Sequence, residues 1–139
     1  MKSLSDFERG FLSLAIDTDG SFYLIKVKST TKRDWKIEIS LSFSNNSQEF
    51  LNFIQNIIGS DLKLVRKKGS KNYKISYRHK VLKWLLPQLE LIIKENRRKI
   101  AIKILNHLNI GINQYNNTAY YESELISLVN QFQKAKYAI

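Results

Sequence analysis

There is no cysteine among the 139 residues of the chain. That excludes a disulfide scaffold and a thiolate metal site, and it suits a reducing compartment. No apolar run approaches the ~20 residues needed to cross a membrane. The first residues, Met1-Lys2-Ser3-Leu4, lack the apolar segment and small-residue cleavage site of a signal peptide. An intracellular protein without a membrane partner is therefore expected. The sequence also has no glycine-rich phosphate loop, no zinc-ligand spacing and no Ser-His-Asp set. His79 and His107 stand in no partner pattern and receive no catalytic role. Acidic residues are scarce as well, and they are absent where the basic ones crowd together. From Leu62 to Trp84 there is no Asp or Glu, while Lys63, Arg66, Lys67, Lys68, Lys71, Lys74, Arg78, Lys80 and Lys83 all fall in that stretch.

What is present is positive charge on a chain long enough for one domain, taken as 1–139. Lys plus Arg number 23 against 12 Asp plus Glu, a net of +11, and 43% of residues are hydrophobic. A one-sign block needs a counter-charge. Nucleic acid is the commonest polyanion, with an anionic membrane surface as the rival.

The order of elements can be read from caps and periodicity. Ser5-Asp6-Phe7-Glu8 has capping-box form and opens a helix over Asp6 to Thr18, which Gly20 can end. Its apolar residues spread over more than one face, as in a helix buried on two sides. Ser21 to Lys28 reads as a strand and 29–34 as a polar turn. Lys36 to Phe43 alternates polar and apolar without a fault, giving one dry face and one wet face. Ser47 caps a helix over Gln48 to Ile58, stopped by Gly59. Asp61 to Lys68 and Asn72 to Arg78 predict a hairpin around Gly69-Ser70-Lys71. A short helix over Val81 to Leu86 is interrupted by Pro87, a long amphipathic helix covers Lys94 to Leu108, and a last helix follows a polar loop over Ala119 to Lys136. This order suits an α+β fold, an antiparallel sheet with helices on one face and a basic face left open.

The stretch Leu12-Ser13-Leu14-Ala15-Ile16-Asp17-Thr18-Asp19-Gly20 is apolar or small until it ends in two carboxylates. It resembles the nine-residue LAGLIDADG motif of homing endonucleases, and Ile-Asp-Thr-Asp-Gly-Ser-Phe matches best. The order αββαββα matches too, as does Leu86-Pro87 followed by Lys94 and a long helix. The resemblance implies that motif helices pack against each other at the centre of a two-fold assembly, with the last acidic residue pointing at DNA. With one motif, the chain would be a homodimer on a pseudo-palindromic site. Phe11, Leu14 and Thr18, at i, i+3 and i+7, would form the dimer interface. Leu14 stands where the family has glycine, and Thr18 takes its second small position.

Carried over by the same resemblance, Asp19 is the metal-binding carboxylate and the Thr18 backbone carbonyl a second ligand. Scissile phosphates and waters would complete the oxygen shell that Mg²⁺ prefers, with Mn²⁺ substituting and Ca²⁺ supporting binding without cleavage. Lys94 would assist the phosphoryl transition state and Asn45 would order water, with Asn46 almost as good a choice. Asp17 is read as making a helix-end or interface hydrogen bond rather than binding metal.

The open strand faces should read bases and phosphates. Lys36, Glu38, Ser40 and Ser42 share the polar face of the alternating strand, and Arg66, Lys68, Lys74, Ser76 and Arg78 are the candidates from the second hairpin. In the first strand either Tyr23, Ile25 and Val27 or Phe22, Leu24 and Lys26 can face DNA; Tyr23 and Ile25 are taken as contacts. The function implied is a divalent-metal-dependent endonuclease making a double-strand cut in a long DNA site. The alternative is a non-cleaving nucleic-acid-binding protein of the same fold, an intron-splicing maturase with its own intron RNA as partner or a regulator. Residence in a chloroplast or mitochondrion follows for a eukaryotic source, and in the cytoplasm otherwise.

Overall fold

A computed structural model describes residues 2–28, 35–60, 62–66, 68–108 and 118–135, with all their side chains but those of 25–28, 35, 36 and 118–123. The turn at 29–34 and the loop at 111–117 lie outside the described residues. Helix α1 spans Asp6–Asp19. Both bonds of the capping box are present: Glu8 N–H donates to Ser5 Oγ at 3.1 Å and Ser5 N–H to Glu8 Oε1 at 2.9 Å. At the other end the Gly20 N–H reaches the Ala15 and Ile16 carbonyls. A Cβ on Gly20 would lie 2.7 Å from Ile16 Cα, so glycine is needed here for close approach to the helix it leaves.

Strand β1, Gly20–Lys28, pairs antiparallel with β2, Trp35–Asn45, in a register from Gly20↔Phe43 to Lys28↔Trp35. The predicted alternation is realised: Ile37, Ile39, Leu41 and Phe43 are buried while Glu38 and Ser40 are half-buried. β2 continues beyond its predicted end to Asn45. Helix α2, Gln48–Ile58, opens with Ser47 Oγ accepting the Phe50 N–H at 3.2 Å and closes at Gly59, whose φ of 77° is left-handed.

The second hairpin differs from its prediction. β4 spans Tyr73–Tyr77, and among the described residues β3 covers Val65–Arg66; Asp61 and Lys67 of the predicted strand lie outside them. The Leu62 carbonyl, within the predicted strand, accepts instead from the Gln55 side chain of α2. The strand order is β1-β2-β4-β3, antiparallel throughout.

Helix α3 spans His79–Leu85, a 3-10 turn over Leu86–Gln88 holds Pro87, α4 spans Glu95–Leu108 and α5 spans Thr118–Lys134. α3 begins two residues earlier than predicted. His79 has a structural task there: its Nε2 accepts the Ile39 N–H at 3.0 Å. That donor lies just past the β2–β4 ladder, which stops at Leu41↔Tyr77.

The core lies between the sheet and the helices, where Leu12, Ile16, Leu41, Leu51, Ile54 and Leu85 are fully buried. Phe132 of α5 meets Phe22 edge-on at 6.3 Å, and Arg97 of α4 donates to the Ala135 carbonyl at 2.7 Å with its guanidinium over the Phe132 ring. The architecture is the α+β arrangement that the sequence predicts, with helices packed on one side of the sheet.

Candidate functional site

The C-terminal end of α1 brings acid, amide and base together. Asp19 is its last residue, half-exposed, and its Oδ2 accepts from Asn45 Nδ2 at 3.1 Å. Asn45 Oδ1 accepts the Ser47 N–H at 2.8 Å, which fixes the amide so that its NH₂ faces Asp19. Between the two amides considered from sequence, Asn45 is the one that touches Asp19, and Asn46 is exposed.

Lys94 arrives from the other side. It is only 8% exposed, and its Nζ donates to the Ile16 carbonyl at 2.8 Å and to the Gly20 carbonyl. The last turn of α1 contains no basic residue. Lys94 therefore supplies, from a distant segment, the positive charge that a helix C-terminus favours. Burial, the largest influence, pushes the Lys94 ammonium below the usual lysine range; the charges of Asp17 and Asp19 oppose this and Arg97 adds to it. Its neighbours have other tasks. Arg98 is buried against the Leu86 carbonyl and Glu95, Arg97 holds α5, and Lys99 is exposed. Lys94 is thus no part of a solvated basic face.

Asp17 has a role that spacing alone does not reveal. Its carboxylate is 8% exposed and accepts three successive backbone N–H groups, those of Ile92 at 2.7 Å, Ile93 at 3.1 Å and Lys94 at 3.0 Å. The preceding N–H, on Leu91, goes to Glu95 Oε1 at 3.1 Å. The hydrogen bond expected of Asp17 at the helix end is present, and its partners lie some 75 residues away in the chain.

On the open side of the sheet, Tyr23 is exposed while Phe22 is buried, which settles the facing of that part of β1. Lys74 Nζ lies 4.9 Å above the Tyr23 ring. The register aligns Ser21, Ser42 and Ser76 in one row across three strands. Ser42 is 3% exposed and its hydroxyl is 2.7 Å from that of Ser76, so it lies within this face, below its surface. Glu38 and Ser40 are half-buried there, and Lys68 and Arg78 are exposed. Arg66 is placed otherwise. It pairs with Tyr73, which puts it on the side of Ile75 and Tyr77, opposite to Lys74 and Ser76. Its guanidinium lies 5.9 Å from the Tyr73 ring centroid, at the exposed sheet edge. The side chains of Ile25 and Lys36 lie outside the described residues.

The outer face of α1 carries Phe7 and Leu14 in the open, Leu14 at 62% exposure. Thr18 is exposed beside them, its hydroxyl turned back onto the Leu14 carbonyl at 2.9 Å. Phe11 is half-buried, its ring 5.8 Å from Phe50 and 4.9 Å from Phe53.

Among the described residues no group of three or more His, Cys, Asp or Glu side chains could hold a metal ion. One chain offers the Asp19 carboxylate and the neighbouring Thr18 carbonyl, hard oxygen donors suited to Mg²⁺ or Ca²⁺ but short of a full shell. No helix among the described residues is long and apolar enough to cross a membrane.

The model of the LAGLIDADG endonuclease family matches residues 12–87, more than half of the chain, from the motif helix to Pro87. The chain belongs to the LAGLIDADG endonuclease family. Solved structures agree on the fold. The homing endonuclease I-CvuI, in complex with the I-CreI target in the presence of Mg²⁺ with the DNA not cleaved, is 19% identical at a TM-score of 0.71, covering 94% of this chain and 82% of that one. The archaeal intron-encoded homing endonuclease I-Vdi141I, complexed with DNA, is 18% identical at a TM-score of 0.74, covering 94% and 85%. I-SmaMI, bound to an uncleaved DNA target in the presence of calcium ions, is 16% identical at a TM-score of 0.75, covering 89% of this chain and 44% of that one. No curated protein matches the chain. Within this LAGLIDADG member, Asp17, Asp19 and Gly20 are the motif positions around which the site is built.

Proposed function

We propose that the chain is a sequence-specific, divalent-metal-dependent DNA endonuclease that works as a homodimer and makes a double-strand cut in a long pseudo-palindromic site. One observation carries this reading: Asp19, Asn45 and Lys94 converge at one helix end, beside a sheet face that bears Lys74, with Arg78 exposed just past the end of β4. A carboxylate and a buried ammonium at the edge of a basic surface are suited to a phosphodiester.

Each residue then has a task. Asp19 and the Thr18 carbonyl hold the cation, Mg²⁺ by preference, with Mn²⁺ able to replace it and Ca²⁺ supporting binding alone. When bound there, such a cation would supply stabilisation of developing negative charge and a lower pKa for the attacking water. Asn45 keeps the Asp19 carboxylate oriented and offers an amide to a water. Lys94 adds positive charge where the phosphoryl group becomes more negative. Tyr23, Glu38, Ser40, Lys74, Ser76 and Arg78 reach DNA from the open face, with Ile25 and Lys36 further along it. Lys68 acts from the hairpin turn and Arg66 from the sheet edge, chiefly on phosphates.

The exposed Phe7 and Leu14, and the one carboxylate, Asp19, that this reading gives to the cation, support a second copy. Two strands need two sites. I-SmaMI, of which this chain spans 44%, has the length for two such units in one chain. The protein works where cellular DNA is, in an organelle or the cytoplasm.

A second reading, a non-cleaving maturase or regulator, is favoured by Leu14, a large side chain where the motif has glycine. Incubation with a random DNA library, with and without Mg²⁺, followed by sequencing of cut ends separates the two. Cuts at one recurring sequence support the endonuclease. Sequence-specific retention of DNA or RNA without cuts supports the binder.

A further inference from the structure

We propose that Asp17 is a positioning residue for Lys94: by gathering the N–H groups of Ile92, Ile93 and Lys94 on one carboxylate, it holds the Lys94 ammonium at the end of α1 beside Asp19. The placement rests on geometry alone. Its catalytic consequence rests on the endonuclease reading.

The two residues strap two helix ends together in both directions. The Lys94 N–H donates to Asp17 Oδ1, and the Lys94 Nζ donates to Ile16 O and Gly20 O. Lys94 is also the residue from which α4 starts, since its carbonyl accepts the Arg98 N–H at 3.0 Å. The negative end of α1 therefore receives an ammonium and the positive end of α4 a carboxylate, each supplied by the other segment.

Leu91 anchors the approach to this turn in the core, but within the turn side-chain packing is slight. Ile92 is 83% exposed and Ile93 is 41% exposed, so neither anchors the segment by burial. What converges is the backbone, on the two oxygens of Asp17. A carboxylate has the lone pairs for three donors and no hydrogen of its own. An asparagine there would turn its NH₂ toward the same N–H groups and leave at least one without an acceptor. Lysine needs such help, because its four-carbon stem is flexible and its ammonium is a point charge without a preferred plane. Misplacing a reacting group by about 1 Å costs on the order of 100-fold in rate.

Two measurements on Asp17→Asn test this. The first is lysine reactivity toward reductive methylation of the full chain, read by mass spectrometry. In the wild type Lys94 should resist modification while the exposed Lys63 and Lys99 react; in Asp17→Asn that protection should be lost. A folded Asp17→Asn with Lys94 still protected overturns the proposal, whether or not the chain cuts DNA. Where circular dichroism finds Asp17→Asn unfolded, Asp17→Glu takes its place, since it keeps the charge but shifts the oxygens by a methylene; full protection there overturns the proposal equally.

The second measurement is single-turnover cleavage. Asp17→Asn should lose about 100-fold while DNA affinity in Ca²⁺ stays unchanged. Combined with Lys94→Met, it should be no slower than Lys94→Met alone. Losses that add independently overturn the route through Lys94. A wild type that cuts no DNA removes the endonuclease reading and leaves the methylation result to decide Asp17.

Discussion

Asn45 Nδ2 lies 3.1 Å from Asp19 Oδ2, although the two residues are 26 positions apart. The last residue of β2 and the last residue of α1 meet because Gly20 turns straight from helix into strand and pairs with Phe43. This contact makes Asn45→Asp informative. Two carboxylates would then face each other at hydrogen-bond distance, a repulsion of about 1 kcal/mol at a half-exposed site. In EDTA the variant should melt ~3 °C below the wild type. Ca²⁺ should restore the loss and raise the melting temperature further. A melt insensitive to Ca²⁺ would show that no cation binds there.

The basic surface should announce itself through salt. With ~6 phosphate contacts, log K for DNA should fall against log salt with a slope near −5. Replacing Lys74 and Arg78 together by Gln removes two cations from each copy of the dimer and should reduce that slope by about 4 units. A titration series by fluorescence anisotropy gives both numbers. An unchanged slope would place the phosphates elsewhere.

Leu14 is exposed on the single chain, so Leu14→Arg should leave the monomer fold intact. Across a two-fold axis the same change sets like charges against each other in a dry contact, at a cost of several kcal/mol. Sedimentation should find a folded monomer, and cleavage should fall to nicking at most. A mutant that stays dimeric and cuts both strands would move the interface off α1.

Glu95 offers a test by pH. Burial pushes its carboxyl up, but hydrogen bonds from the Arg98 guanidinium and the Leu91 N–H, with the charges of Arg98 and Lys99, outweigh this and bring it below the usual range. The ionised form is thus favoured by folding. Its contribution is fully present above the unfolded pKa, near 4.5, and is lost as pH falls through the lower folded value. Urea unfolding should find wild type more stable than Glu95→Gln at pH 7, with the gap closing below about pH 4. A gap independent of pH would mean that Glu95 acts without its charge.

Local signals in the sequence were sufficient for much of the fold. The Ser5–Glu8 cap, the alternation at Ile37–Phe43 and the Ser47 cap each act over a few residues, and each is realised. Where the sequence misleads, a distant group intervenes. α3 begins early at His79, whose ring accepts the Ile39 N–H from 40 positions away. Asp19 and Lys94 were legible only through the motif and its spacing to a downstream lysine. The reach of Asp17 to Ile92–Lys94 has no local signature, since an aspartate at a helix end is ordinary until its partners are seen.

On the proposed reading, Asp19 holds the cation needed to cut DNA. Asp19→Asn keeps the volume and removes the charge. The decisive measurement is cut-end sequencing of a random DNA library after incubation with wild type and Asp19→Asn in Mg²⁺, alongside DNA binding by both in Ca²⁺. Wild type should leave double-strand ends at one pseudo-palindromic sequence, and Asp19→Asn should bind that sequence while cutting it slower by several orders of magnitude. Cleavage by Asp19→Asn at the wild-type rate would contradict that reading.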